Sequence, residues 1–124
     1  MLHGGPCGDA IGAANQILVS IKGPLIAAAQ DPPNAGQSRA VMPGVVPYIP
    51  KVNRDITKAR QQWLAGGYPA DSPAVRDIDA MLAALDRLVP LAKAADLNAI
   101  SKIYLDLNSA LDQYVYDSGA FCTQ

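Results

Sequence analysis

Glutamate is absent from this chain: all eleven acidic residues are Asp. Histidine is nearly absent as well, with His3 the single example. Together these gaps exclude the di-metal carboxylate sites of helical bundles, which need Glu on facing helices and a Glu-x-x-His spacing. The two cysteines, Cys7 and Cys122, form no C-x-x-C or C-x-x-C-H pattern, so a zinc ribbon and covalently attached haem are excluded too. A phosphate-binding G-x-x-x-x-G-K-[ST] loop is missing. His3 sits too near the start of the chain to serve as the fixed base of a Ser-His-Asp or Cys-His arrangement. Asp77 and Asp79 lie two apart, which turns them to different sides of a helix and argues against an acid/base pair between them. The expectation is a protein that is not an enzyme and carries no cofactor.

Charge of one sign is lacking. Ten Lys and Arg against eleven Asp leave a net charge of −1, which gives nucleic-acid binding no electrostatic support. Long apolar runs are lacking as well, because no stretch of about 18 apolar residues is uninterrupted, so no transmembrane segment is expected. The opening MLHGGPC has neither a charged leader nor an apolar core of the signal-peptide kind. With 124 residues and half of them hydrophobic, the chain is expected to form one domain, residues 1–124, with a buried core.

What is present is helical rhythm. Ile11, Ala14, Leu18, Ile21, Leu25 and Ala28 recur at steps of three and four, the spacing of one helix face, after a candidate cap at Asp9. Pro24 falls inside that pattern, where it is expected to kink the helix or split off its last turn. The following DPPNAGQSRAVMPGVVPYIP, with five prolines, reads as a long connection holding at most short helical turns. A second helix is predicted from Pro47 or Pro50 to Ala65, with Val45, Ile49, Val52, Ile56, Ala59 and Trp63 as its apolar stripe and Gly66 and Gly67 as its stop. A third starts at Ser72 and Pro73, carries Val75, Ile78, Leu82, Leu85, Val89 and Ala92, and is bent or ended at Pro90. The fourth spans about Asp96 to Asp117 with Leu97, Ile100, Tyr104, Leu107, Leu111 and Tyr114 inward, and Gly119 as its stop.

Four amphipathic helices of this kind predict an all-α, antiparallel up-down-up-down four-helix bundle with proline-kinked helices. In that topology the two chain ends meet, so Cys7 and Cys122 are expected to form a disulfide. Such a bridge implies an oxidising, extracytoplasmic setting, either secreted or surface-tethered. Trp63, Tyr68, Tyr114, Tyr116 and Phe121 gather at the same end as a capping mini-core.

Two surface features suggest function. Residues 39 to 60 hold five cations against the single Asp55, and within them Lys51, Arg54 and Lys58 follow helical spacing as a basic stripe for an anionic partner. At the opposite end Pro24, Pro47, Pro50 and Pro90 should splay the helices and open an apolar mouth lined by Leu25, Met42, Val46, Tyr48 and Leu91. The first feature suggests a protein-interaction module, an accessory or sensor domain with a protein partner. The second suggests the alternative, a carrier of an apolar small molecule such as a lipid or haem.

Overall fold

The computed structural model describes the backbone of residues 5–122 and the side chains of residues 10–119 other than residue 34. Helix α1 (Gly5–Gln30) leads through a 3-10 turn at Pro32–Asn34 to the short α2 (Ala35–Val41) and a second 3-10 stretch, Met42–Tyr48. Then come α3 (Ile49–Ala65), α4 (Pro73–Ala94) and α5 (Leu97–Cys122), and no strand occurs among the described residues. The four long helices pack together as a square: α1 lies against α3 and α5, and α4 lies against the same two. Buried Ala10, Ala14, Ala59, Ala84 and Ala92 carry short side chains at these contacts, which lets helix axes approach closely.

Each helix buries the face that its spacing sets apart. All six stripe residues of α3 and the turn before it, Val45 through Trp63, are in the core. In α4 the stripe is joined by Met81 and Leu88, while Leu82 and Val89 are partly covered. In α1 the buried set is centred on Ile17 and Ile21, with Ala10 and Ala13 added, while Ile11 and Leu25 lie at its margin. That rotation follows from α1 having two neighbours, α3 and α5, whose combined contact faces one sector of the helix.

Neither Pro24 nor Pro90 ends its helix. Helix α1 runs unbroken through Pro24, and α4 runs through Pro90 to Ala94. Pro24 forfeits a bond to the Ser20 carbonyl, and Ser20 is exposed, so water can take the lost donor's place. Gly119 does not stop α5, which continues to Cys122. The connection between α1 and α3 has no long extended loop: its short helical turns fold inward, so that Met42 is fully buried and Val45 joins the core.

One helix departs from the sequence reading of membrane propensity. Ala10–Gln30 of α1 has a mean hydropathy of 1.3, long and apolar enough by length and composition to cross a bilayer, because an average tolerates Asn15, Gln16, Ser20 and the one charged residue, Lys22, that interrupt the run. Of this stretch 33% is buried within the fold.

Two helix ends share one geometry and differ in one residue. At the end of α3 the amide of Gly67 donates to the Leu64 carbonyl and that of Tyr68 to the Trp63 carbonyl. At the end of α4 the amide of Ala95 donates to Ala92 and that of Asp96 to Leu91. Both are Schellman closures, which need a left-handed residue after the helix. Gly67 meets that need with φ 95° at no steric cost, but the second closure is made by Ala95 at φ 53°. Replacing Ala95→Gly should therefore stabilise the fold by about 0.5 to 1 kcal/mol, read as a higher urea midpoint at unchanged slope.

Candidate functional site

The chemistry-bearing surface is divided among three places. Along the seam of α1 and α3 runs a groove of about 350 Å³ lined by Gln16, Ile17, Ser20, Tyr48, Lys51 and Val52. Gln16 and Ser20 are one turn apart, and the Ser20 hydroxyl donates back to the Gln16 carbonyl at 2.7 Å, leaving the far wall polar but uncharged. Tyr48 stands at the junction of the 3-10 stretch with α3 and is 64% exposed. Its position follows from the helix register: Val45 and Ile49 take the inward positions on either side, so the ring between them is turned out. Lys51 reaches Asp55 at 3.0 Å in an exposed i,i+4 pair, an interaction worth at most about 1 kcal/mol and readily exchanged for another anion. Arg54 and Lys58 are exposed further along the same helix.

The five residues expected around one apolar mouth are distributed. Met42 is sealed in the core. Val46 and Leu91 are partly buried against it. Tyr48 belongs to the α1/α3 groove, and Leu25 borders a separate cavity of about 330 Å³ between the end of α1, α2 and the start of α5. The residue that moves this picture away from expectation is Met42, whose flexible thioether suits an irregular gap under a proline-marked connection. The side chains of Cys7 and Cys122, and of Phe121, lie outside the described residues.

The aromatic mini-core is present in part. The Trp63 indole N–H donates to the Tyr114 hydroxyl at 2.9 Å, in a fully buried contact between residues 51 apart in sequence. Tyr68, returned by the Schellman turn, packs edge-on against Trp63 with ring centroids 4.8 Å apart. Tyr116 is exposed instead, since it lies two positions beyond the inward Tyr114 on the same helix.

A carboxyl pair lies beside this cluster and is not visible in the sequence. Asp77 in the second turn of α4 meets Asp117 near the end of α5, in a cleft of about 380 Å³ shared with Pro73, Arg76 and Ala80. One Asp77 oxygen, Oδ2, is buried without a hydrogen-bond partner, while Asp117 accepts from the Gln113 amide at 3.1 Å. Burial, and then the Asp117 carboxylate beside it, push the Asp77 carboxyl up to about 7, with Arg76 opposing. Burial also raises Tyr114 to about 12, with the Trp63 hydrogen bond opposing and the charge of Asp77 adding to the rise. The two aspartates are 40 positions apart, so no local spacing could have joined them. By contrast Asp79, on the other side of α4, pairs with Arg60 of α3 at 2.7 Å, and Arg87 pairs with Asp106 at 3.1 Å.

A carboxyl raised from 3.8 to about 7 holds its proton more tightly in the folded chain than in the unfolded one. Across that window the unfolded chain has given up the proton while the folded chain still holds it, so stability falls as pH rises, and it levels off above about pH 7 once the folded state has lost the proton as well. Asp77→Asn removes this dependence. The variant should gain about 1 kcal/mol over the parent at pH 8 and nothing at pH 3.5, as read from urea midpoints at the two pH values. Parallel pH profiles for parent and variant would rule out the carboxyl pair as their source.

Comparison of the chain with protein-family models, with curated proteins and with solved structures finds no match in any of the three.

Proposed function

We propose that this protein is a non-catalytic, extracytoplasmic helical-bundle module that docks a protein partner along the seam of α1 and α3, through an acidic segment carrying apolar side chains. The observation that carries this reading is Tyr48, a large aromatic left exposed on the lip of a groove whose wall includes Lys51. Tyrosine brings wide contact area at small entropic cost, which is why it is enriched where proteins meet. The stripe Lys51, Arg54 and Lys58 supplies the charge that would steer an acidic segment to the groove. The apolar outer face of α1, where Val19 is 72% exposed and Ile26 follows two turns later, supplies further area beside it. The alternative, a carrier of a lipid or haem at the proline-rich end, has Leu25 alone of its five expected lining residues on the cavity there. A protein partner is therefore preferred.

The reading includes an up-down-up-down order of the four long helices and a bridge between Cys7 and Cys122. Cross-helix pairs support the order: Asp77 with Asp117 and Arg87 with Asp106 keep one register as α4 and α5 run past each other. In such an order the start of α1 and the end of α5 share an end of the bundle. A bridge closing a loop of roughly 100 residues contributes about 4 to 5 kcal/mol in the chain-entropy model and places the protein in an oxidising compartment.

Thiol counting on the unfolded, unreduced protein from its own host should give no free thiol. Two free thiols would remove both the bridge and the extracytoplasmic setting. For the interface, a partner captured from the same host by a photo-crosslinker at position 48 should bind the parent in a salt-sensitive manner. Tyr48→Ala and the triple variant Lys51→Gln, Arg54→Gln, Lys58→Gln should each weaken that binding by about tenfold or more while leaving the melting temperature nearly unchanged. Equal affinity across both variants would end the interface reading.

A further inference from the structure

Three helix faces converge on the cavity between the end of α1, α2 and the start of α5. Leu25 and Ala29 are one turn apart on α1, Ala35 and Arg39 one turn apart on α2, and Leu97 and Ser101 one turn apart on α5. Arg39 is directed there because the residues around it are committed elsewhere: Ser38 in α2 and Met42, just after that helix, are buried in the body of the protein. Asp96 reaches the same cavity as the cap of α5, where its Oδ1 accepts the Ala99 amide at 3.2 Å.

Arg39 and Asp96 thus line one cavity with opposite charges, yet they are not an ion pair, and no ion pair or hydrogen bond engages the Arg39 guanidinium among the described residues. We propose that this cavity binds a free α-amino acid with an apolar side chain, its carboxylate on Arg39 and its ammonium on Asp96. The proposal does not rest on the protein-docking reading and concerns a different part of the molecule.

The chemistry of the walls selects this class over simpler ligands. An inorganic anion on Arg39 would meet the carboxylate of Asp96, and a simple cation on Asp96 would meet the guanidinium. A zwitterion satisfies both, because an α-amino acid carries its ammonium and its carboxylate on one carbon. Asn98 and Ser101 add neutral donors and acceptors beside the charges, and Leu25 and Leu97 form the apolar wall that a side chain can cover. The volume of about 330 Å³ stands near the lower limit for small-molecule sites and is enough for one amino acid with its side chain.

L-Leucine is the probe, titrated into the whole protein and followed by amide chemical shifts. Saturable shifts are expected in residues 25–39 and 96–101, with a dissociation constant in the millimolar range set by charges that solvent can reach. N-acetyl-leucine, which lacks the ammonium, and leucine amide, which lacks the carboxylate, should each bind roughly fivefold more weakly or worse. Arg39→Gln should selectively lose the preference for leucine over leucine amide, and Asp96→Asn the preference for leucine over N-acetyl-leucine. Asparagine caps a helix as well as aspartate, so Asp96→Asn keeps α5 intact and separates ligand contact from folding. No saturable shift up to about 50 mM leucine, or equal binding of all three probes, would overturn the proposal.

Discussion

The hydrogen bond from the Trp63 indole to the Tyr114 hydroxyl spans the diagonal of the helix square. Neighbouring helices in such a square are held by continuous apolar contact along their length, but diagonal helices touch little, and nothing nonspecific fixes their relative height. A directional bond between two fully buried rings does. Sliding α3 against α5 by one turn would leave the indole N–H and the phenol without each other in a dry interior, which costs more than the bond itself contributes. The surroundings reinforce this register. Tyr68 closes one side of the indole, and the Ser118 hydroxyl donates to the Tyr114 carbonyl one turn further on.

The carboxyl pair of Asp77 and Asp117 lies against the same brace, and its charge reaches Tyr114. Helix α4 thereby divides its polar residues between two neighbours: Asp79 engages Arg60 on α3, and Asp77 faces Asp117 on α5. The first contact is attractive and exposed, contributing little. The second is repulsive when both groups are ionised, so one end of the α4/α5 seam is held less firmly above neutral pH than the rest of the helix pair.

At the other end, the connection between α1 and α3 shapes both the groove and the neighbouring cavity. By turning Met42 inward it fills the space expected to open among four prolines, and by turning Tyr48 outward it creates the aromatic lip of the α1/α3 groove. Its short helix α2 also brings Arg39 within the cavity capped by Asp96. One stretch of proline-marked chain therefore borders two different surfaces: a groove whose wall carries Lys51, and a small cavity lined by both Arg39 and Asp96.

The helices were legible because their cause is local. Steps of three and four from Val45 to Trp63 place six apolar side chains on one face whatever that face will touch, and Ser72–Pro73 and Asp96 mark helix starts by backbone preferences that need no neighbour. The effect of each proline was less legible, because a lost amide matters only where water cannot replace it, and exposure is a property of the assembled fold. The same holds for the sites. Exposure of Lys51, Arg54 and Lys58 follows from their spacing opposite an apolar stripe, but the fate of Met42 and Tyr48 depends on how a connection closes over three helices at once. Asp77 beside Asp117, Arg39 near Asp96 and Trp63 bonded to Tyr114 join positions 40 or more apart, pairings that sequence spacing cannot encode. Periodicity fixes which face of a helix turns inward, whereas the partner that each residue meets there is decided by the height at which the helices lock.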